Sequence, residues 1–239
     1  MTFTYQGKTI AYEVMGKGSP LILIHGWGGS SQSLKQLAEL LSDNHKTIIV
    51  DLPGFGNSDT PPPEWGTPEY ANVLIALLDH LKIKKTSYFG HSFGGSLGLY
   101  LSVNTNLIEN LILCNSSFKR RARKSLLVRA AKHIFPGNNP PLKMLFYRIF
   151  FRNSDLARYP HLERNFRLIM KQDLTPLIEK VKVPTLILWG QNDTITPVAL
   201  GEELHAAIKG SKMVVFANAR HGLPLRNPEL LVEPIKKFI

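Results

Sequence analysis

A mostly parallel central sheet with helices on both faces is the fold class this sequence predicts. Three observations carry it. Short, fully apolar runs of strand length recur along the chain, and segments with helical apolar spacing separate them. Glycine-rich turns follow several of the apolar runs. The 239 residues are 44% hydrophobic and 20% charged, the values of a globular chain with a large core. A strand buried on both faces has no polar side, so it reads as an unbroken apolar run.

The elements follow in order. Residues 3–5 and 9–14 flank Gln6-Gly7-Lys8 and read as a hairpin. Residues 20–24 form an apolar strand ending at His25-Gly26-Trp27-Gly28-Gly29. A helix over about 31–41 places Leu34, Leu37, Ala38 and Leu41 on one face. The strand 46–50 ends at Asp51, and a loop with Pro61, Pro62 and Pro63 follows. Thr67 reads as an N-cap with Pro68 at the first helical position, opening a helix to about 81. A strand at 85–90, a helix to about 103 and a strand at 110–114 come next. The alternation breaks at Phe118 and resumes with a strand at 183–190. A helix over about 198–208, a strand at 213–216 and a helix from about Pro228 complete the chain. The predicted organisation is a core of residues 1–117 and 176–239, with 118–175 inserted between two strands as a helical, basic cap.

The chemistry gathers around Gly90-His91-Ser92-Phe93-Gly94-Gly95, a serine between glycines where a strand gives way to a helix. A serine hydroxyl is a weak nucleophile until a base reaches it, and a sharp turn exposes it to one. Gly90 and Gly94 suit a turn too tight for Cβ atoms. The helix start behind it offers free N–H groups to an oxyanion. In an open parallel sheet, ligand chemistry collects beyond the carboxyl ends of strands. Asp193 and His221 both stand just after strands, in the chain order Ser, Asp, His.

Five motifs in order carry a resemblance to the α/β-hydrolase superfamily. They are His25-Gly26-Trp27-Gly28-Gly29, the run from Asp51 through Pro53-Gly54-Phe55-Gly56 to Asp59, the Ser92 turn, Gly190-Gln191-Asn192-Asp193, and His221. The resemblance, to capped Ser-Asp-His hydrolases, implies Ser92 as nucleophile, His221 as base and then acid, and Asp193 as its orienter. It implies an oxyanion hole from the backbone N–H groups of Trp27 and Phe93, supported by His25, Gly26, Gly90, His91, Gly94 and Asp51. His25 reads as support for the oxyanion loop, and His91 as packing or support beside the nucleophile. Asp51 and Asp59 read as loop braces. Ser92 stands where the aspartate-nucleophile cousins carry Asp, which excludes haloalkane and epoxide chemistry at this site.

No HExxH, cysteine pair, P-loop or dinucleotide fingerprint is present, so neither a metal nor a cofactor is expected. One cysteine, no charged-then-apolar leader and no run of about 18 apolar residues suit a cytoplasmic protein. Residues 118–172 hold 14 Lys plus Arg against Asp155 and Glu163, so the net charge of +11 belongs to this one segment. It also holds eight aromatics, and its helices are expected at 126–134 and 142–151. Arg120, Arg121, Arg123, Arg148, Arg152, Phe146 and Phe150 are candidates for binding substrate or partner there. A solvated basic face is one reading. An acidic acyl carrier protein, an anionic membrane surface and a small anionic substrate are others. No nucleic-acid motif accompanies the charge. The expected function is cleavage of carboxylic esters of small to medium acyl substrates through an acyl-enzyme on Ser92. Carbon–carbon bond hydrolysis by the same three residues is the alternative, and pimeloyl-acyl-carrier-protein methyl ester esterases are the nearest functional analogy.

Overall fold

The apolar runs of the sequence become strands, buried on both faces in the middle of the sheet and partly exposed at the edge run 213–216. The computed structural model describes residues 1–119 and 158–239. Among them, β1 (Thr2–Tyr5), β2 (Lys8–Met15), β3 (Ser19–Ile24), β4 (His45–Val50), β5 (Thr86–His91), β6 (Ile108–Cys114), β7 (Thr185–Gly190) and β8 (Lys212–Phe216) form one sheet. The order across it is β1-β2-β4-β3-β5-β6-β7-β8. The hairpin β1–β2 joins β4 in antiparallel register, and every later pairing is parallel. The architecture is a mostly parallel mixed sheet of the α/β-hydrolase kind, as the sequence predicts.

The helices are α1 (Lys35–Leu41), α2 (Thr67–His80), α3 (Phe93–Asn104), α4 (Glu163–Lys171), α5 (Thr175–Ile178), α6 (Val198–Ala207), α7 (Leu223–Arg226) and α8 (Glu229–Lys236). Successive strand residues feed opposite faces, as the period of two requires. Ile22 and Ile24 pack with Tyr70, Leu97 and Leu204 from α2, α3 and α6. Leu21 and Leu23 pack with Leu37, Leu41, Leu231 and Ile235 from α1 and α8. The predicted helix at 31–41 divides into a tight turn over Ser31–Ser33 and then α1. The start of α2 differs by one residue. Gly66 is the cap, because Glu69 Oε2 accepts its N–H at 2.7 Å, and Thr67 is a buried first helical residue.

The inserted segment is fastened at its described ends. Phe118, Leu162, Leu174 and Ile178 are buried in the core. Leu174 N–H donates to the Phe118 carbonyl at 2.8 Å. Asn165, on α4, donates through Nδ2 to the carbonyls of Pro62 at 2.7 Å and Trp65 at 3.0 Å. The seven candidate cap residues and the two helices expected at 126–134 and 142–151 lie outside the described residues.

The strand order also creates a crevice. The chain leaves β3 through α1 towards β4 on one side, and leaves β5 through α3 towards β6 on the other. Neighbouring strands whose connections diverge leave a gap beyond their carboxyl ends. The turn after β3 and Ser92 after β5 face each other across it.

Candidate active site

Ser92 sits at the junction of β5 and α3 with φ 51° and ψ −112°, a conformation that costs a residue with a Cβ. The surroundings impose it. Ser92 N–H donates to Cys114 O at 3.0 Å, and Ser92 O accepts from Gly95 N at 3.0 Å and Ser117 N at 3.1 Å. A Cβ on Gly90 would collide with the Gly94 carbonyl, and one on Gly94 would collide with the Ile24 carbonyl. We therefore expect Ser92→Gly to relax the strain and raise stability by about 1 kcal/mol over Ser92→Ala, a rise of roughly 2–4 °C in Tm. Thermal melts of the two variants check this, and a lower Tm for the glycine variant contradicts stored strain.

His221 follows β8, and its Nδ1–H donates to Asp193 Oδ2 at 2.7 Å. The Asp193 side chain is 0% exposed and that of His221 is 19% exposed. Every Asp193 contact is a donor. Oδ1 accepts the N–H of Ile195 at 2.8 Å and of Thr196 at 2.9 Å. Oδ2 also accepts the Thr196 hydroxyl at 2.8 Å and the Asn115 amide. Burial pushes the carboxyl pKa up, but the bonds from His221 and Thr196 outweigh it and hold the pKa below 3.8. Asn115 is itself anchored, its Oδ1 accepting Gly190 N–H at 3.2 Å. Sequence reasoning missed Asn115 and Thr196. Their available signal was position, since Asn115 immediately follows β6 and Thr196 lies in the loop after β7.

The loop after β3 closes the other side. A Cβ on Gly26 would lie 2.9 Å from Ser92 Cβ, so only glycine lets this loop approach the serine so closely. Among the described residues, the backbone N–H groups of Trp27 and Phe93 donate to no protein acceptor. His25 is wholly buried. Its Nδ1–H donates to Gly26 O at 2.7 Å, and its Nε2 accepts Leu52 N–H at 3.0 Å. That bridge ties the β3 turn to the loop after β4 and leaves His25 no role as a base. Asp51 braces the same region, its two oxygens accepting Ser31 N–H at 2.6 Å and Asn57 N–H at 2.9 Å. Asp59 accepts Thr9 N–H at 2.7 Å. His91 Nε2–H donates to the His221 carbonyl at 2.8 Å.

Burial lowers the His25 pKa from 6.5 to about 4. The unfolded chain therefore binds a proton near pH 6.5 that the folded chain refuses until about pH 4. Stability should be full above pH 6.5 and fall by roughly 1.4 kcal/mol per pH unit towards pH 4 for this group alone. Tm measured from pH 7 to pH 4.5 checks this above the carboxylate range, and a flat profile contradicts it.

Ser92, His221, Trp27 and Phe93 line one cavity of about 740 Å³, with Phe166, Ile169 and Met170 of α4 and Ile195, Leu200 and Leu225 from the β7 and β8 side. Among the described residues no hydrogen bond joins Ser92 Oγ to His221, a contact often long without substrate. No cluster of three or more His, Cys, Asp or Glu among the described residues could hold a metal ion. No described helix is long and apolar enough to cross a membrane.

Sheet topology, serine turn and motif order together define an α/β-hydrolase, and the chain belongs to the alpha/beta hydrolase family, whose model matches residues 21–233. Among its relatives is the uncharacterized hydrolase YugF of Bacillus subtilis, 26% identical over 99% of this chain and 96% of that protein. A pimeloyl-[acyl-carrier protein] methyl ester esterase of Neisseria meningitidis is 28% identical over 91% of this chain and 92% of its own. A thermophilic esterase from Thermogutta terrifontis superposes with a TM-score of 0.74 at 26% identity, covering 99% of this chain and 95% of that one.

Proposed function

We propose that the protein is a serine hydrolase that cleaves carboxylic esters of small to medium acyl groups. The observation that carries this reading is the buried, donor-saturated Asp193 holding His221 by Nδ1, beside a cavity that Ser92 also lines. With Nδ1–H committed to Asp193, His221 Nε2 is the basic nitrogen. It takes the Ser92 proton as Oγ attacks the ester carbonyl, and Asp193 stabilises the imidazolium that forms. The carbonyl oxygen gains charge and is received by the amides of Trp27 and Phe93, a contribution on the order of 10²–10³ in rate per donor. His221 then protonates the departing alkoxide. Water, deprotonated by the same nitrogen, attacks the acyl-enzyme, releases the acid and restores Ser92.

Two observations favour an ester over a carbon–carbon bond. Relatives at 26–28% identity whose names state an activity include a methyl ester esterase and a thermophilic esterase. The described cavity wall is mainly apolar, and its one described lysine, Lys119, is paired with Glu203 instead of being left for an anionic substrate. In this reading residues 118–175 form a cap, supported by the placement of Phe166, Ile169 and Met170 on the cavity wall. A fluorophosphonate probe tests the proposal together with a panel of short p-nitrophenyl esters. The folded protein should be labelled at Ser92 and turn the esters over. Folded protein that is neither labelled nor active would sink it.

A further inference from the structure

His91 precedes the serine, yet its side chain reaches across the crevice to a residue 130 positions later. Its Nε2–H donates to the backbone carbonyl of His221 at 2.8 Å, and the two rings lie 4.9 Å apart. Among the described residues no other hydrogen bond joins the serine turn to the loop carrying His221. That loop is tied to the β7 side through Asn192 N–H to Ala219 O at 2.9 Å. The His221 ring is likewise tied to Asp193. Without His91, the described hydrogen bonds fix the His221 loop to β7 alone and leave its register with β5 to packing.

We propose that His91 is a positioning residue, its Nε2–H holding the His221 backbone in register with Ser92 so that nucleophile and base keep their distance. The inference rests on the serine-hydrolase reading above. A histidine suits the task for steric and electrostatic reasons. Its flat ring fits against Gly26, where an added Cβ would lie 3.1 Å from His91 Nδ1. Three titratable groups act on it: His221, Asp193 and His25. Burial first, then the charge of His221, keeps its pKa down to about 3. One proton therefore stays on Nε2 throughout the working pH range. His91 remains a donor and adds no second positive charge when His221 becomes imidazolium.

The test compares His91→Leu, His91→Gln and His91→Asn with the wild type on p-nitrophenyl acetate, with Ser92→Ala in the same assay. Glutamine carries an N–H near the Nε2 position, whereas leucine has no donor and asparagine is too short. The leucine and asparagine variants should lose kcat about 10- to 100-fold with KM within about twofold, since misplacing reacting groups by about 1 Å has costs of this size. Glutamine should recover kcat to within about threefold and keep the wild-type acid limb of kcat/KM against pH. Should the leucine variant fail to fold, the glutamine and asparagine pair decides. The proposal is overturned if the leucine and asparagine variants keep wild-type kcat, if glutamine is as impaired as they are, or if the loss lies in KM. Activity surviving in Ser92→Ala would instead remove the underlying serine mechanism and this inference with it.

Discussion

Ser92→Ala lowers kcat for a p-nitrophenyl ester by about 10⁴- to 10⁶-fold while the protein stays folded, the scale seen when a serine nucleophile is deleted. Both halves of the expectation have a physical basis. Ser92 fixes its turn through its backbone N–H and carbonyl, which alanine keeps. Among the described residues Oγ makes no hydrogen bond, so its removal takes away only the atom proposed to attack. The cavity walls and the amides of Trp27 and Phe93 are untouched, so KM should move little. Steady-state kinetics on the purified variant, with circular dichroism for the fold, make the measurement. A variant retaining more than about a tenth of wild-type kcat would show that Ser92 is not the nucleophile.

Asp193→Asn should be nearly as damaging, with kcat down by about 10⁴-fold, because the amide no longer enforces the His221 tautomer. The local geometry adds a second penalty. Both carboxylate oxygens face donors: two backbone N–H groups on Oδ1, and His221, Thr196 and the Asn115 amide on Oδ2. An asparagine must turn its own N–H₂ towards one of those sets, leaving buried donors opposed and a stability loss of about 1–3 kcal/mol. The acid side follows the same logic. The folded pKa lies below 3.8, so the carboxylate contributes stability above about pH 4 and loses it as the pH falls through the lower folded value. Chemical denaturation at pH 7 and pH 3.5 should show the wild-type advantage over the variant shrinking. An equal gap at both values would mean that the charge of Asp193 is not what the network holds.

The features legible in the sequence are those that each residue declares locally. A strand buried on both faces is mostly apolar, so the runs 20–24 and 183–190 announced the strands observed at 19–24 and 185–190. A serine flanked by glycines declares a tight turn, and Gly90 and Gly94 are required by their backbone neighbours. Helix α4 was not foreseen, since Glu163–Lys171 carries four charged residues and buries only Asn165. The cap of α2 shifted to Gly66 because a glutamate three residues on supplies the acceptor. Asn115 and Thr196 escaped for a different reason. Asn115 meets Asp193 from 78 residues away and leaves no pattern in its own neighbourhood, whereas Thr196 bonds Asp193 through both N–H and hydroxyl from three residues on, a spacing common to ordinary turns. His91 is similar: its position beside the serine was evident, but not its partner on another loop.

The N-terminal hairpin lies wholly outside the stretch that the family model matches, which begins at residue 21. Yet β2 stitches the loop after β4. Thr9 N–H and O both bond Asp59, Ala11 N–H bonds Ser58 Oγ at 2.9 Å, and Ala11 O receives Asp51 N–H at 2.9 Å. That same loop delivers Leu52 N–H to His25, behind Trp27. The hairpin is thus an outrigger for the wall that, in the proposed mechanism, would meet the developing oxyanion. A chain begun at residue 21 would keep Ser92, Asp193 and His221 and still lose the ballast that steadies the amide opposite them.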